Sequence, residues 1–206
     1  MRRDRGVLVA LTGVAFLVLV ILGLAIGGEP PDSDKAREVV DFYADKKDRL
    51  RVALFIHTAA LVLLVFFGAF LRDVLRAAEG ERDFLPTVAF AGTLILAIGL
   101  AVDSTIVLAL TETAEDIDPA AVQALSALFE NDYIPLAVGS IVFLVGLGLS
   151  VLQSGVLPKW MGWVAIALAV IGLTPLGFVA FIGAGLLVAV ISVMLALRAR
   201  KAPVTG

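Results

Sequence analysis

The sequence predicts an all-α fold: a polytopic membrane helical bundle with six transmembrane helices and two amphipathic helices on its outer face. Three observations predict it. Sixty per cent of the 206 residues are hydrophobic and only 17% are charged, whereas a soluble domain carries about a quarter of its residues as charged side chains. Mean hydropathy is +1.02, too high for a surface that faces water all round. Long charge-free runs recur: residues 6–28, 52–71, 133–158 and 160–197 carry no Asp, Glu, Lys or Arg, and 84–111 carries only Asp103. About 20 apolar residues cross the hydrocarbon core of a bilayer as a helix.

Taken in order, the first span covers about 7–27. Arg2, Arg3 and Arg5 precede it, as in a signal peptide, but its apolar stretch exceeds the 7–15 residues of such a leader. It is therefore read as a retained helix. The second and third spans cover about 52–71 and 85–111, and the fourth about 134–154. The run 160–197 would rise roughly 57 Å as one straight helix, too long for a single span. Thr174-Pro175-Leu176-Gly177 near its middle is a turn signal, so it divides into about 160–174 and 177–197. One long kinked helix here would instead leave five spans, since Pro is tolerated inside membrane helices.

Two loops read as helical. In the first, about 33–50, Ser33 is a candidate N-cap with Asp34 in the first turn. Ala36, Val39, Val40 and Tyr43 recur at helical spacing, and Arg37–Asp41 and Asp45–Arg49 stand four apart, where opposite charges pair. In the second, about 119–130, Asp118-Pro119 is an N-cap followed by Pro at the first helical position. Val122, Leu125, Leu128 and Phe129 then make one stripe. Such helices lie on the bundle or at the lipid interface.

Orientation follows the Lys and Arg flanks. With the N-terminus inside, Arg2, Arg3, Arg5, Arg72, Arg76, Arg82, Lys159, Arg198, Arg200 and Lys201 collect on the inner side. Lys35, Arg37, Lys46, Lys47, Arg49 and Arg51 collect outside, all in one loop. Both termini are then cytoplasmic. Trp160 and Trp163 become anchors at the inner interface, where indole rings are favoured.

Composition also excludes function classes. Sixteen Lys+Arg against 19 Asp+Glu give a net charge of −3, which makes no case for nucleic acid. Cys is absent and His occurs once, so disulfides, thiolate nucleophiles and multi-His metal sites are out. No metal or other cofactor is implied. The acidic loop with Glu112, Glu115, Asp116, Asp118, Glu130 and Asp132 lacks the ligand spacing of a calcium loop and reads as a solvated face. There is no G-x-S-x-G, P-loop, H-E-x-x-H or dinucleotide fingerprint, so no catalytic residue is assigned.

Asp103 is the most informative residue. A carboxylate inside a span must face the bundle interior or water and find a partner. It lies eight residues from Thr111, roughly 12 Å deep. His57, six residues after Arg51 in the antiparallel second span, lies roughly 9 Å deep. A His57–Asp103 pair is therefore available, as a ligand-binding or proton-relay dyad or as a packing contact. Alternatively, His57 reaches the interface while Ser104 or Thr105 satisfies Asp103 locally. Gly23 and Gly27 form a GxxxG at the outer end of the first span, a motif for close helix packing within the bundle or between protomers.

Residues Gly155-Val156-Leu157-Pro158-Lys159-Trp160-Met161-Gly162-Trp163 resemble a turn common in small bacterial multi-pass membrane proteins grouped as a domain-of-unknown-function family. There, Leu-Pro, a basic residue, Trp, an apolar residue, Gly and Trp precede the fifth helix. The resemblance implies a multi-pass fold with a long outer loop after the first helix, and it carries over no functional residue.

The resulting expectation is a bacterial plasma-membrane protein acting as a binding or accessory module. Its surroundings are the lipid bilayer and a membrane-protein partner or a second copy of itself. His57, Asp103, Ser104 and Thr105 are the candidate buried polar site. A small proton-coupled carrier using Asp103 and an intramembrane enzyme are the alternatives.

Overall fold

A computed structural model describes residues 2–80 and 83–201, with side chains from Gly6 to Arg200 among them. The Arg2, Arg3, Arg5, Arg82 and Lys201 side chains, which carry part of the charge bias, lie outside the described residues. The chain forms α1 (Arg2–Gly27), α2 (Ala36–Asp45), α3 (Lys47–Glu79), α4 (Phe84–Thr113), α5 (Pro119–Asn131), α6 (Ile134–Ser154), α7 (Lys159–Gly172) and α8 (Gly177–Lys201). Among the described residues there is no strand.

Five segments are long and apolar enough to cross a membrane: α1, α3, α4, α8 and the stretch Pro119–Ser154 that contains α6. Their outward faces are apolar. Leu8 is 67% exposed, Phe55 77% and Ile98 64%, a surface suited to acyl chains rather than to water. The long run after Trp160 is two helices, separated by Leu173–Leu176. α7 has 14 residues, a rise of roughly 21 Å, against roughly 31 Å for the 21 residues of α6.

α1, α3, α4, α6 and α8 make a ring of neighbours, and α7 packs over the seam between α6 and α8. α1 and α4 finish, and α3 and α6 start, at the end that α2 and α5 cover. We call this the cap end and the opposite one the far end. The far half is filled by Phe67, Leu71, Leu75, Leu144, Leu147 and Ile191, all buried. The closest helix approach is between α4 and α6. A Cβ on Gly139 would lie 2.5 Å from the Leu96 backbone nitrogen, and one on Gly146 2.5 Å from that of Ala89. Gly92 faces the Phe143 backbone still more closely. Lipid tails are as apolar as Leu, so such close van der Waals packing is what joins helices in a membrane.

The first loop departs from the expected helix over 33–50. α2 begins at Ala36 with no side-chain cap, because Ser33 is engaged elsewhere: its N–H and hydroxyl donate to the Glu130 carboxylate at 2.5 and 2.7 Å. The helix breaks at Lys46, and residues 47–51 belong to α3, whose next buried positions are Leu50 and Ala53. No Gly or Pro interrupts the chain between Lys47 and Phe67. The Arg37–Asp41 and Asp45–Arg49 pairs do not form. Lys35 instead bridges Asp32 and Glu38, at 3.5 and 4.0 Å. On α5, the Asp118 carboxylate accepts the Ala120 N–H at 2.8 Å, with Pro119 in the first turn. Val39, Tyr43 and Val122 from the two short helices bury a small second core against Leu50, Ile106 and Leu110.

At the cap end Arg51 of α3 grips Glu112 of α4 through Nε and Nη2, at 2.7 and 2.8 Å. At the far end Arg72 donates to Asp83 at 2.5 Å and to Thr87 at 3.2 Å, closing the turn between α3 and α4.

Candidate functional site

Directly beneath α2 and α5 the ring does not close, leaving a cavity of about 270 Å³. Small-molecule sites span about 300–1,000 Å³, so this chamber suits a small occupant. Its walls are mostly apolar, with His57 from α3 and Asp103 and Ser104 from α4 among them. Phe42 and Tyr43 of α2, Phe129 of α5 and Phe181 of α8 supply aromatic surface. α1 contributes the flat Gly23–Gly27 edge.

His57 packs on that edge. A Cβ on Gly23 would lie 2.5 Å from Nε2, so glycine there leaves room for the imidazole. Nε2 faces the Val20 carbonyl at 3.4 Å, and with the proton on that nitrogen the ring donates to it. Gly27 is under less pressure: its Cβ would meet Ala53 at an ordinary 3.5 Å.

His57 and Asp103 thus share one chamber without a hydrogen bond or ion pair between them. Asp103 has the Asp132 carboxyl, from the turn between α5 and α6, as its charged neighbour. Two ionised carboxylates offer each other no donor. Asp103 Oδ1 and Asp132 Oδ2 are both buried without a hydrogen-bond partner. Neither carboxyl lies within ion-pair distance of a Lys, Arg or His among the described residues.

The neighbouring hydroxyls do not serve Asp103. Ser104 donates to the Leu100 carbonyl and Thr105 to the Ala101 carbonyl, both at 2.8 Å and one turn back on their own helix. Thr105 is exposed and outside the chamber wall. Trp160 and Trp163 are exposed near the start of α7, at the far end from the chamber.

Above the chamber, Tyr43 is buried. Burial first, and the Glu130 charge second, push its phenol up to about 12.

Two further cavities adjoin. One, of about 250 Å³, is bounded almost wholly by apolar side chains of α1, α3, α4, α6 and α8 and shares Val20, Leu24 and Phe181 with the chamber. The other, of about 710 Å³, is an open recess above the turn between α7 and α8, and Leu136 and Phe181 separate it from the chamber. The recess exists because α7 is short. Gly172, its last residue, stands against Ile141, seven residues below the start of α6 and so roughly 10 Å short of it.

The sequence groups Asp132 with the solvated acidic face, whereas its Oδ2 is buried; Phe181 and the recess carry no signal in the sequence. Asp132 ends an acidic loop and borders an apolar run, a position equally suited to a helix cap. No family model, curated protein or solved structure matches this chain.

Proposed function

We propose that this protein is a membrane-embedded binding module whose ligand, a small and mostly apolar molecule, occupies the chamber beneath α2 and α5. The observation that carries the reading is the chamber itself, with two ionisable side chains on apolar walls and a recess beside it. A binding pocket characteristically combines apolar area with a few convergent polar groups.

In this reading α7 is the sixth crossing helix, and both termini lie on the same face of a bacterial plasma membrane. Support comes from charge. By sequence, ten Lys and Arg (Arg2, Arg3, Arg5, Arg72, Arg76, Arg82, Lys159, Arg198, Arg200 and Lys201) belong to the far side, against six at the cap end (Lys35, Arg37, Lys46, Lys47, Arg49 and Arg51). Basic residues favour the inner side. The turn from Leu157 to Trp163 keeps its resemblance to the small bacterial multi-pass family, as part of this proposal.

Two observations favour binding over the alternatives. A proton-coupled carrier using Asp103 needs a way onward to the far end, and Phe67, Leu71, Leu144 and Leu147 fill that half of the bundle. An intramembrane enzyme needs a nucleophile beside a base, and the Ser104 hydroxyl is bonded to the Leu100 carbonyl rather than to His57.

Photolabelling tests the reading. A diazirine-bearing fatty alcohol is irradiated with the full chain in nanodiscs, and the labelled peptides are mapped. Label is expected on chamber residues such as Leu61, Leu100 and Phe181, and Val107→Phe, which fills the space, should suppress it. Label confined to lipid-facing residues such as Phe55 and Ile98 would count against a binding chamber.

A further inference from the structure

We infer that the chamber's ligand is a single-chain amphiphile with an ammonium head, the head against Asp103 and the chain in the adjoining apolar cavity. This rests on the binding reading and adds the ligand's chemistry.

The head follows from what the chamber lacks. Asp103 Oδ1 and, behind it, Asp132 Oδ2 are buried acceptors with no donor, and no cationic side chain of the described residues reaches either carboxyl. Leaving such groups unpaired at low dielectric is costly. An alkylammonium supplies both missing things, a positive charge and up to three N–H donors. A hydroxyl supplies a donor without the charge. A carboxylate or phosphate head would meet two acids. Lys46 stands near the rim, but its ammonium is over the Phe42 ring, 4.1 Å from the centroid, and is not paired with Asp103. The remaining aromatic walls, Tyr43, Phe129 and Phe181, offer π-faces that attract cations.

The chain follows from the neighbour. The second cavity has almost no polar wall and borders the chamber at Val20, Leu24 and Phe181. A molecule lying across that border places its polar end beside Asp103 and its alkyl end among Phe16, Leu64 and Phe143. The lateral recess lies across Leu136 and Phe181 from the chamber, so entry by that side requires these two side chains to swing aside.

The test compares three probes of equal chain length, radiolabelled decylamine, decanol and decanoate. Each is measured for retention by the purified full chain in maltoside micelles, against protein-free micelles. At pH 7 the amine is protonated, as alkylamines titrate near 10. Decylamine should be held about tenfold more tightly than the other two. Asp103→Asn should bring it down to the decanol level, and Asp132→Asn should weaken it in the same direction without touching the chamber wall. Equal retention of all three probes, or an amine preference that survives both substitutions, would overturn the assigned head while leaving the binding reading standing. Retention of none above the micelle blank would overturn both.

Discussion

Ser33 holds Glu130 by two bonds at once, its backbone N–H on Oε1 and its hydroxyl on Oε2, across 97 positions of sequence. This clasp, with the Gln123 amide on the Asp34 carbonyl at 3.2 Å, ties the lead-in to α2 onto α5 and so holds the roof of the chamber.

Removing the clasp should loosen the roof without unfolding the bundle. Ser33→Ala loses the hydroxyl bond, and Glu130→Gln weakens both. Because the contact is exposed, the cost is at most about 1 kcal/mol. Hydrogen–deuterium exchange should show faster amide exchange over Ala36–Asp45 and Pro119–Asn131, with α4 and α6 unchanged. Equal exchange in the variants would mean that the short helices are held by Val39, Tyr43 and Val122 alone.

The Arg51–Glu112 fork predicts a rescue. Arg51→Glu and Glu112→Arg should each lower the melting temperature, by placing like charges at the tops of α3 and α4, and the double exchange should restore most of the loss. Added salt should shrink the single-variant penalties, since the pair is exposed and screened. A double variant as unstable as the sum of the singles would show that the fork contributes nothing beyond its two separate environments.

Glycines on two faces of the bundle should behave oppositely. Gly146→Val pushes a branched side chain into the Ala89 backbone and should cost about 1–3 kcal/mol or more. Gly27→Ala meets only an ordinary contact with Ala53 and should be neutral, or stabilising by up to about 1 kcal/mol through helix propensity. Unfolding in mixed micelles measures both. Equal effects would remove close packing of α4 on α6 as a determinant of the fold.

Tyr43 predicts alkaline behaviour. With Tyr133→Phe, Tyr43 is the sole tyrosine, and its phenolate absorbance should rise near pH 12 rather than at the ordinary value of 10. The folded pKa is the raised one, so the stability it reflects is fully present below about pH 10 and is lost as pH climbs through about 12. A titration midpoint at 10 in the folded protein would mean that α2 does not shield the ring.

The helical character of the chain was readable because charge-free runs and turn residues alternate, and a helix in lipid must satisfy its own backbone. The break at Thr174-Pro175 and the Asp118-Pro119 start are local chemistry, visible in a few residues. The extent of α2 was not. Ser33 looked like a cap because nothing local reveals that Glu130 claims it. The same limit hid the partner of Asp103. Depth along two helices brings His57 and Asp103 to one level, but which side chain each one faces depends on helix rotation, and Asp132 arrives from a turn 29 positions later. The α4–α6 contact does leave a trace in the sequence: Gly92 and Gly99 on one helix, and Gly139 and Gly146 on the other, are each seven residues apart.

α7 also acts on its surroundings. If α7 crosses, as proposed, a segment roughly 10 Å shorter than α6 presents less greasy height than a bilayer is thick. The leaflet beside it must pinch inward or let phosphate groups and water sag into the notch above Leu173–Leu176. Such a dent costs a fraction of a kcal/mol per ångström. It sets a preference for thin membranes and for neighbours with a matching indentation.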